Sequence, residues 1–226
     1  TPIIAAGKSR TFEFLIRQHG TYWYHSHTGH QLQRGVLGSI VIEPKTTTIR
    51  ADHDQVVVLG DWTNEHPTEV QRTLLRMSDW YSFRKGTAQS LLGAYQAGKL
   101  DEYLSREKAL VPPMDLSDVA YDAFLMNGQR RLKLPGKPGE VVRVRLINAS
   151  AGTYFYLGAA TGPLKIVSAD GQDVVPFEQK LLLMGPAETY DLLMTIPADG
   201  SWELRADAQD GSGAVSAWLG EGTAHA

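Results

Sequence analysis

The chain has 226 residues, is 42% hydrophobic and 21% charged, carries a formal net charge of −3 and contains no cysteine. That length holds one large or two small domains, and the near-neutral balance gives no basis for a nucleic-acid or anionic-membrane surface. The missing cysteines exclude disulfides, thiolate metal sites and any blue-copper centre, which needs a Cys thiolate beside two imidazoles, and no run approaches the ~18 apolar residues of a membrane-spanning helix.

The first three predicted elements are strands. Thr11 to Arg17 alternates, with Phe12, Phe14 and Ile16 on one face; Thr21 to His27 and Val36 to Glu43 follow, joined by the loop Thr28 to Gly35. On the second strand Trp23, His25 and His27 share a side, and the Cα atoms of the two His stand roughly 6.5 to 7 Å apart. Rings so placed either converge on one ion or take one each of two adjacent ions, and imidazole suits copper, zinc, iron and nickel alike. The plainer alternative for any His-x-His is an exposed polar face. Crowding tilts the reading toward a metal: His19, His25, His27 and His30 are four of the chain's seven His. Three strands cannot close a sandwich or barrel, and open sheet edges seek partners. The expectation is that this part pairs with another copy of the chain or is poorly ordered.

Thr46 to Asp52 has the composition of a polar linker, with His53 a solvated residue at its end. Val56, Val57 and Val58 mark a buried strand over Asp54 to Leu59. Pro67, Glu65 and Glu69, then Val70, Leu74 and Met77, signal a helix, with His66 at its surface-exposed start. Thr87 caps a second helix carrying Leu91, Leu92 and Tyr95 and stopped near Gly98; Leu100 to Ala109 is a third, ended by Pro112-Pro113. This helical insertion is either packed down by Trp80, Tyr81 and Phe83 or a lid over a ligand. The five Met are scattered, as core residues are rather than copper scavengers.

From Tyr121 onward the pattern is β throughout. Glu140 to Ile147 alternates Val142, Val144 and Leu146 against Arg143 and Arg145, the latter expected to form a solvated face. Further strands are predicted at Tyr154 to Leu157, Leu164 to Ser168, Lys180 to Met184, Tyr190 to Ile196, Trp202 to Ala206 and Val215 to Leu219. Turns at Pro135-Gly136, Asp170-Gly171, Gly185-Pro186, Asp199-Gly200 and Asp210-Gly211 separate them. Short strands at this spacing predict a Greek-key sandwich or barrel, with Gly220 to Ala226, including His225, a frayed tail. Neither a nucleophile elbow nor a phosphate loop is present.

The run G-T-Y-W-Y-H-S-H from Gly20 to His27, followed by Q-x-x-x-G-x-x-G-x-I-x-I-E-P from Gln31, resembles the second copper-binding motif of the multicopper oxidases, laccase-like enzymes built of cupredoxin domains. The segments Val58 to Thr63, Ser117 to Asp122, Met126-Asn127-Gly128, Arg145 to Ser150 and Ala169 to Gln172 resemble the copper-resistance branch of that family. The resemblance implies a mainly β fold: residues 1–45 as the end of a first cupredoxin-like domain, 46–222 as a second with a helical insertion at about 64–110, and 223–226 as a tail. It implies a chain that begins inside a domain, so the lack of a signal sequence is uninformative; compartment, by resemblance, is periplasmic or secreted.

Carried onto this chain, the motif implies that His25 and His27 each ligate one of the paired type 3 coppers, with copper as cofactor and dioxygen and a small phenolic or cuprous reductant as partners. Hydrogen bonds, a backbone carbonyl being the usual acceptor, are expected to fix each ring. The rest of the family's cluster comes from further domains, so activity is expected to need ligands assembled between chains, in a homo-oligomer joined through exposed strand edges. His19 and His30 fall on no family ligand position, and His30 is either an extra ligand or a polar loop residue. The alternative functions are a copper-binding β protein without turnover and a purely structural module.

Overall fold

The computed structural model describes residues 3–47, 49–76, 80–85, 91–96, 98–109, 119–198 and 200–226. Aromatic and β-branched residues build its first ladder. Strand β1 (Gly20–His25) pairs antiparallel with β2 (Leu37–Ile42), register Gly20 to Ile42 and His25 to Leu37, and the connecting loop holds a 3-10 turn over Leu32–Arg34 closed by Gly35 at φ +86°. Twelve further strands follow: β3 (His53–Trp62), β4 (Ala123–Met126), β5 (Arg131–Leu134), β6 (Val141–Asn148), β7 (Phe155–Ala159), β8 (Leu164–Ala169), β9 (Gln172–Gln179), β10 (Leu182–Met184), β11 (Thr189–Thr195), β12 (Ser201–Ala208), β13 (Ala214–Leu219) and β14 (Ala224–His225). They form two six-stranded sheets, one ordered β4-β3-β6-β11-β8-β9, the other β10-β7-β12-β13-β5 with β14 added beside β12.

The sheets close on one core. Val57, Leu59, Val142, Val144, Leu146 and Leu192 from the first meet Phe155, Leu157, Leu204, Ala206, Ala217 and Leu219 from the second, all at 0% exposure. Each of the larger side chains contributes about 1.5–3 kcal/mol of burial, ample to hold a β sandwich as the alternation predicts. Between β3 and β4 lie α1 (Pro67–Leu75), α2 (Trp80–Lys85), α3 (Leu91–Gln96) and α4 (Leu100–Ala109). His66 caps α1, its Nδ1 accepting from the Thr68 amide at 3.3 Å on the surface, as expected. Of the aromatics expected to pack the insertion down, Tyr81 does so on α2, while Trp80 is 53% exposed. Tyr81, 2% exposed, donates to Glu65 at 2.9 Å; Arg84 pairs with Glu65 and, at 3.1 Å, with Asp122; Lys85 meets Asp210 at 3.1 Å. Burial, then hydrogen bonding and proximity to the Glu65 carboxylate, push the Tyr81 hydroxyl up to about 12. The amide of Asn64 and the Thr63 hydroxyl, with Arg84, hold Asp122 below the usual carboxylate range despite its partial burial.

Several expectations are corrected. Residues 11–17 form no strand: Phe12, Phe14, Leu15 and Ile16 are 56–75% exposed, because among the described residues β1 and β2 pair only with each other and offer no second sheet to cover an apolar face. His53 is not a linker residue; it opens β3, with Nε2 2.9 Å from Glu140 Oε2, and that bond, with the Lys137 amide, lowers the Glu140 pKa. The segment from Gly220 does not fray, since β14 pairs parallel with β12 and His225 stacks on Trp202 at 4.1 Å. Strands β4, β5 and β9 and helix α2 had no separate prediction. Met77, Thr87, Pro112, Pro113, Met114, Ser117, Asp118 and Asp199 lie outside the described residues, as does the Phe83 side chain.

The largest correction concerns Arg143 and Arg145, 6% and 1% exposed. Asp54 and Asp191 stand on the strands flanking β6, and β1 lies across that face. Arg145 binds Asp54 twice, at 2.6 and 2.7 Å, and reaches Glu43 at 3.0 Å and Thr21 Oγ1 at 3.1 Å. Asp191 accepts from Thr21 Oγ1 at 2.7 Å and from Arg143 at 2.5 Å. Burial alone would lower the Arg145 pKa, but the hydrogen bonds to Asp54 and the charges of Asp54, Asp191 and Glu43 outweigh it and raise the value. Thr189 Oγ1 donates to the Thr21 carbonyl at 3.0 Å. This network seats the β1–β2 hairpin on the sandwich. Gly20 and Gly171 complete the seat: a Cβ on Gly20 would stand 2.3 Å from the Gly171 carbonyl, and one on Gly171, at φ +75°, 2.4 Å from the Tyr22 ring.

Candidate metal centre

Anchored at Thr21, β1 and the two residues that follow it carry three rings in file. Trp23 stacks on His25 with centroids 4.5 Å apart and planes 24° from parallel; His25 stacks on His27 at 4.4 Å and 25°. The period-two side of the strand therefore persists to His27 although the ladder assigned to β1 ends at His25. His25 is half-buried and His27 exposed. On the other face the Tyr24 ring lies over its register partner Gly38, where a Cβ would stand 2.6 Å from the ring.

His25 Nδ1 lies 3.2 Å from the Ser26 carbonyl. Donation there assigns the proton to Nδ1 and leaves the Nε2 lone pair to bind a metal. His27 has no hydrogen-bond partner among the described residues, so its ring nitrogens are open. An imidazole lone pair lies in the ring plane. The two rings stand side by side, 4.4 Å apart and 25° from parallel, an arrangement suited to one ion per ring. The donor set therefore fits copper.

The other His are elsewhere. His30 Nε2 meets Gln71 Oε1 of α1 at 3.1 Å and lines a cleft of about 340 Å³ with Thr63, Pro67 and Tyr121. His19 Nε2 lies 3.4 Å from Asp173. No group of three or more ligating side chains assembles among the described residues. A larger cleft, about 820 Å³, opens between β2 and the β3–β4 edge, lined by Leu37, Ser39, Trp62, Leu125 and Asn127. Asp61, on the rim of both clefts, is taken up by structure, accepting from the amides of Ala151, Gly152 and Thr153 and from the Thr153 hydroxyl at 2.8–3.2 Å. Ser26 and Gln31, to which the sequence assigned no role, hydrogen-bond to each other beside the His pair.

The sequence model of one multicopper oxidase domain matches residues 53–224, and that of another matches residues 1–47. The chain belongs to the multicopper oxidase family. Among multicopper oxidases it is similar to the copper resistance protein A homolog of Pseudomonas syringae pv. tomato, 37% identical over 223 residues, covering 93% of this chain and 37% of that protein. Copper resistance protein A of Escherichia coli is 38% identical over 212 residues, covering 89% of this chain and 35% of that protein. The fold is that of the laccase from Botrytis aclada, with a TM-score of 0.65 at 22% identity over 95% of this chain and 38% of that one. The chain thus spans little more than a third of the curated relatives it matches. The sandwich is cupredoxin-like, and the cofactor of the family is copper. Among the described residues no helix is long and apolar enough to cross a membrane.

Proposed function

We propose that His25 and His27 are copper ligands, one ring to each of two adjacent ions, forming half of a type 3 site in a laccase-like oxidase. The observation carrying this reading is the stack of the two rings, 4.4 Å apart and 25° from parallel, which sets two imidazoles side by side. Bound as a pair, copper supplies reversible one-electron chemistry through which dioxygen is reduced to water at the expense of a small phenolic or cuprous reductant. The chain's own residues supply position. The Ser26 carbonyl holds His25 in one tautomer, Trp23 backs the stack, and the Arg145–Asp191 network fixes the hairpin that presents both rings.

Residues 1–45 are, on this reading, the end of a first cupredoxin-like domain and 46–222 a second, bearing the helical insertion. Two ligands do not complete a copper pair, so the remaining donors come from outside these residues. We place the protein in the periplasm or outside the cell, and assign the exposed apolar stretch Phe12 to Ile16 and the free hairpin edges to contacts between copies that assemble the missing donors. The alternative is copper held by the two rings without turnover. Oxidation of a phenolic dye that requires added copper and disappears in His27→Ala supports the oxidase reading; copper uptake without oxidation favours the alternative; neither uptake nor oxidation overturns both.

A further inference from the structure

We infer that Gln31 is a positioning residue for the metal site: acting through Ser26, its side-chain carbonyl sets the turn that holds His27 against His25. The inference rests on the reading of His25 and His27 as copper ligands. Three bonds carry it. The Ser26 hydroxyl accepts the Thr28 amide at 3.1 Å, closing a turn around His27, and gives its own proton to Gln31 Oε1 at 2.5 Å. The Ser26 amide binds the Val36 carbonyl at 3.1 Å, carrying the ladder one residue past His25.

The backbone of Gln31 is tied down as fully as its side chain. Its amide donates to the Thr28 carbonyl at 3.3 Å, and its carbonyl accepts from Arg34 and Val36 at 3.1 and 3.0 Å. One residue thus ties the start, middle and end of the loop and returns a bond to the serine between the two rings. A serine hydroxyl with one proton can serve both the Thr28 amide and an acceptor only if that acceptor has no competing proton to give, which an amide oxygen satisfies. His27 is exposed and has no hydrogen bond of its own among the described residues, so the turn, with the stack on His25, orients its ring. Copper affinity then depends on a side chain that never touches the metal, as supporting bonds around metal ligands generally make it.

The test compares Gln31→Leu, which removes the acceptor, with Gln31→Glu, which keeps one, in the full chain. Titration with Cu(II) should show affinity about 10-fold weaker in Gln31→Leu and near wild type in Gln31→Glu, with the copper electron paramagnetic resonance spectrum altered only in the former. A metal-free readout stands beside it: nuclear Overhauser effects between the His25 and His27 ring protons, present in wild type and Gln31→Glu and absent from Gln31→Leu. Their disappearance in Gln31→Leu, in a chain that takes up no copper, upholds the positioning role and refutes the metal reading. Unchanged ring-to-ring effects in Gln31→Leu overturn the inference, whatever the copper affinity does.

Discussion

Replacing Arg145 with Met tests whether the hairpin that carries the His pair is held by buried charge. Met preserves the aliphatic stem and removes the guanidinium, taking away both bonds to Asp54, the bonds to Glu43 and Thr21, and the longer 3.5 Å contact with Asp191. Breaking a buried ion pair from one side costs about 3–5 kcal/mol, because the partner charge stays buried. Here two partners can rehydrate, since the Asp54 and Glu43 side chains are 43% and 64% exposed. Asp191, at 1% exposure, keeps Arg143 at 2.5 Å and Thr21 at 2.7 Å. The expected loss therefore falls at or just below the bottom of that range, about 2–3 kcal/mol. The assay is urea unfolding, with limited proteolysis across residues 20–42 to report hairpin undocking separately. Arg205→Met is the control: that side chain is 49% exposed and pairs with Asp207 at the surface, where such pairs are worth about 0–1 kcal/mol. Arg145→Met within about 0.5 kcal/mol of wild type, with the hairpin no more protease-sensitive, would refute the reasoning.

Gly171→Ala should destabilise by about 2 kcal/mol or more, adding the strain of φ +75° to a collision with the Tyr22 ring, as measured by the same unfolding assay. Tyr81 should titrate near 12, read as the alkaline absorbance step missing from Tyr81→Phe. Because its folded pKa is raised above the ordinary 10, the stability it contributes is complete below pH 10 and lost as pH rises through about 12. Removing residues 221–226 should cost about 1 kcal/mol or more in thermal unfolding, since it strips the β14 pairing and the His225–Trp202 stack.

Much of this molecule was legible in its residues, and the failures share one cause. Strict alternation on β6 located its two faces, and the core side proved correct at Val142, Val144 and Leu146. What alternation cannot tell is what covers the other face; Arg143 and Arg145 looked solvated until β1 lay across them. A usable signal existed in the acidic residues of the predicted partner strands, Asp54 and Asp191, which come into register beside those arginines. The same blindness to partners made 11–17 look like a strand and Gly220 to Ala226 like a frayed end. A strand exists only through its neighbour, and the neighbour lies far off in sequence or outside it. At the His pair, period two was enough to put Trp23, His25 and His27 on one side, because that relation is local. The roles of Ser26 and Gln31 were not local: their bond depends on how the loop between β1 and β2 folds back on itself.

Anomalous diffraction at the copper edge from copper-soaked crystals of the chain tests the central claim most directly. Separate copper peaks are expected at the His25 and His27 rings, one to each, with their joint loss in the double variant H25A/H27A. Copper found only at His19, His30 or His66, or no copper beside these two rings, would contradict it.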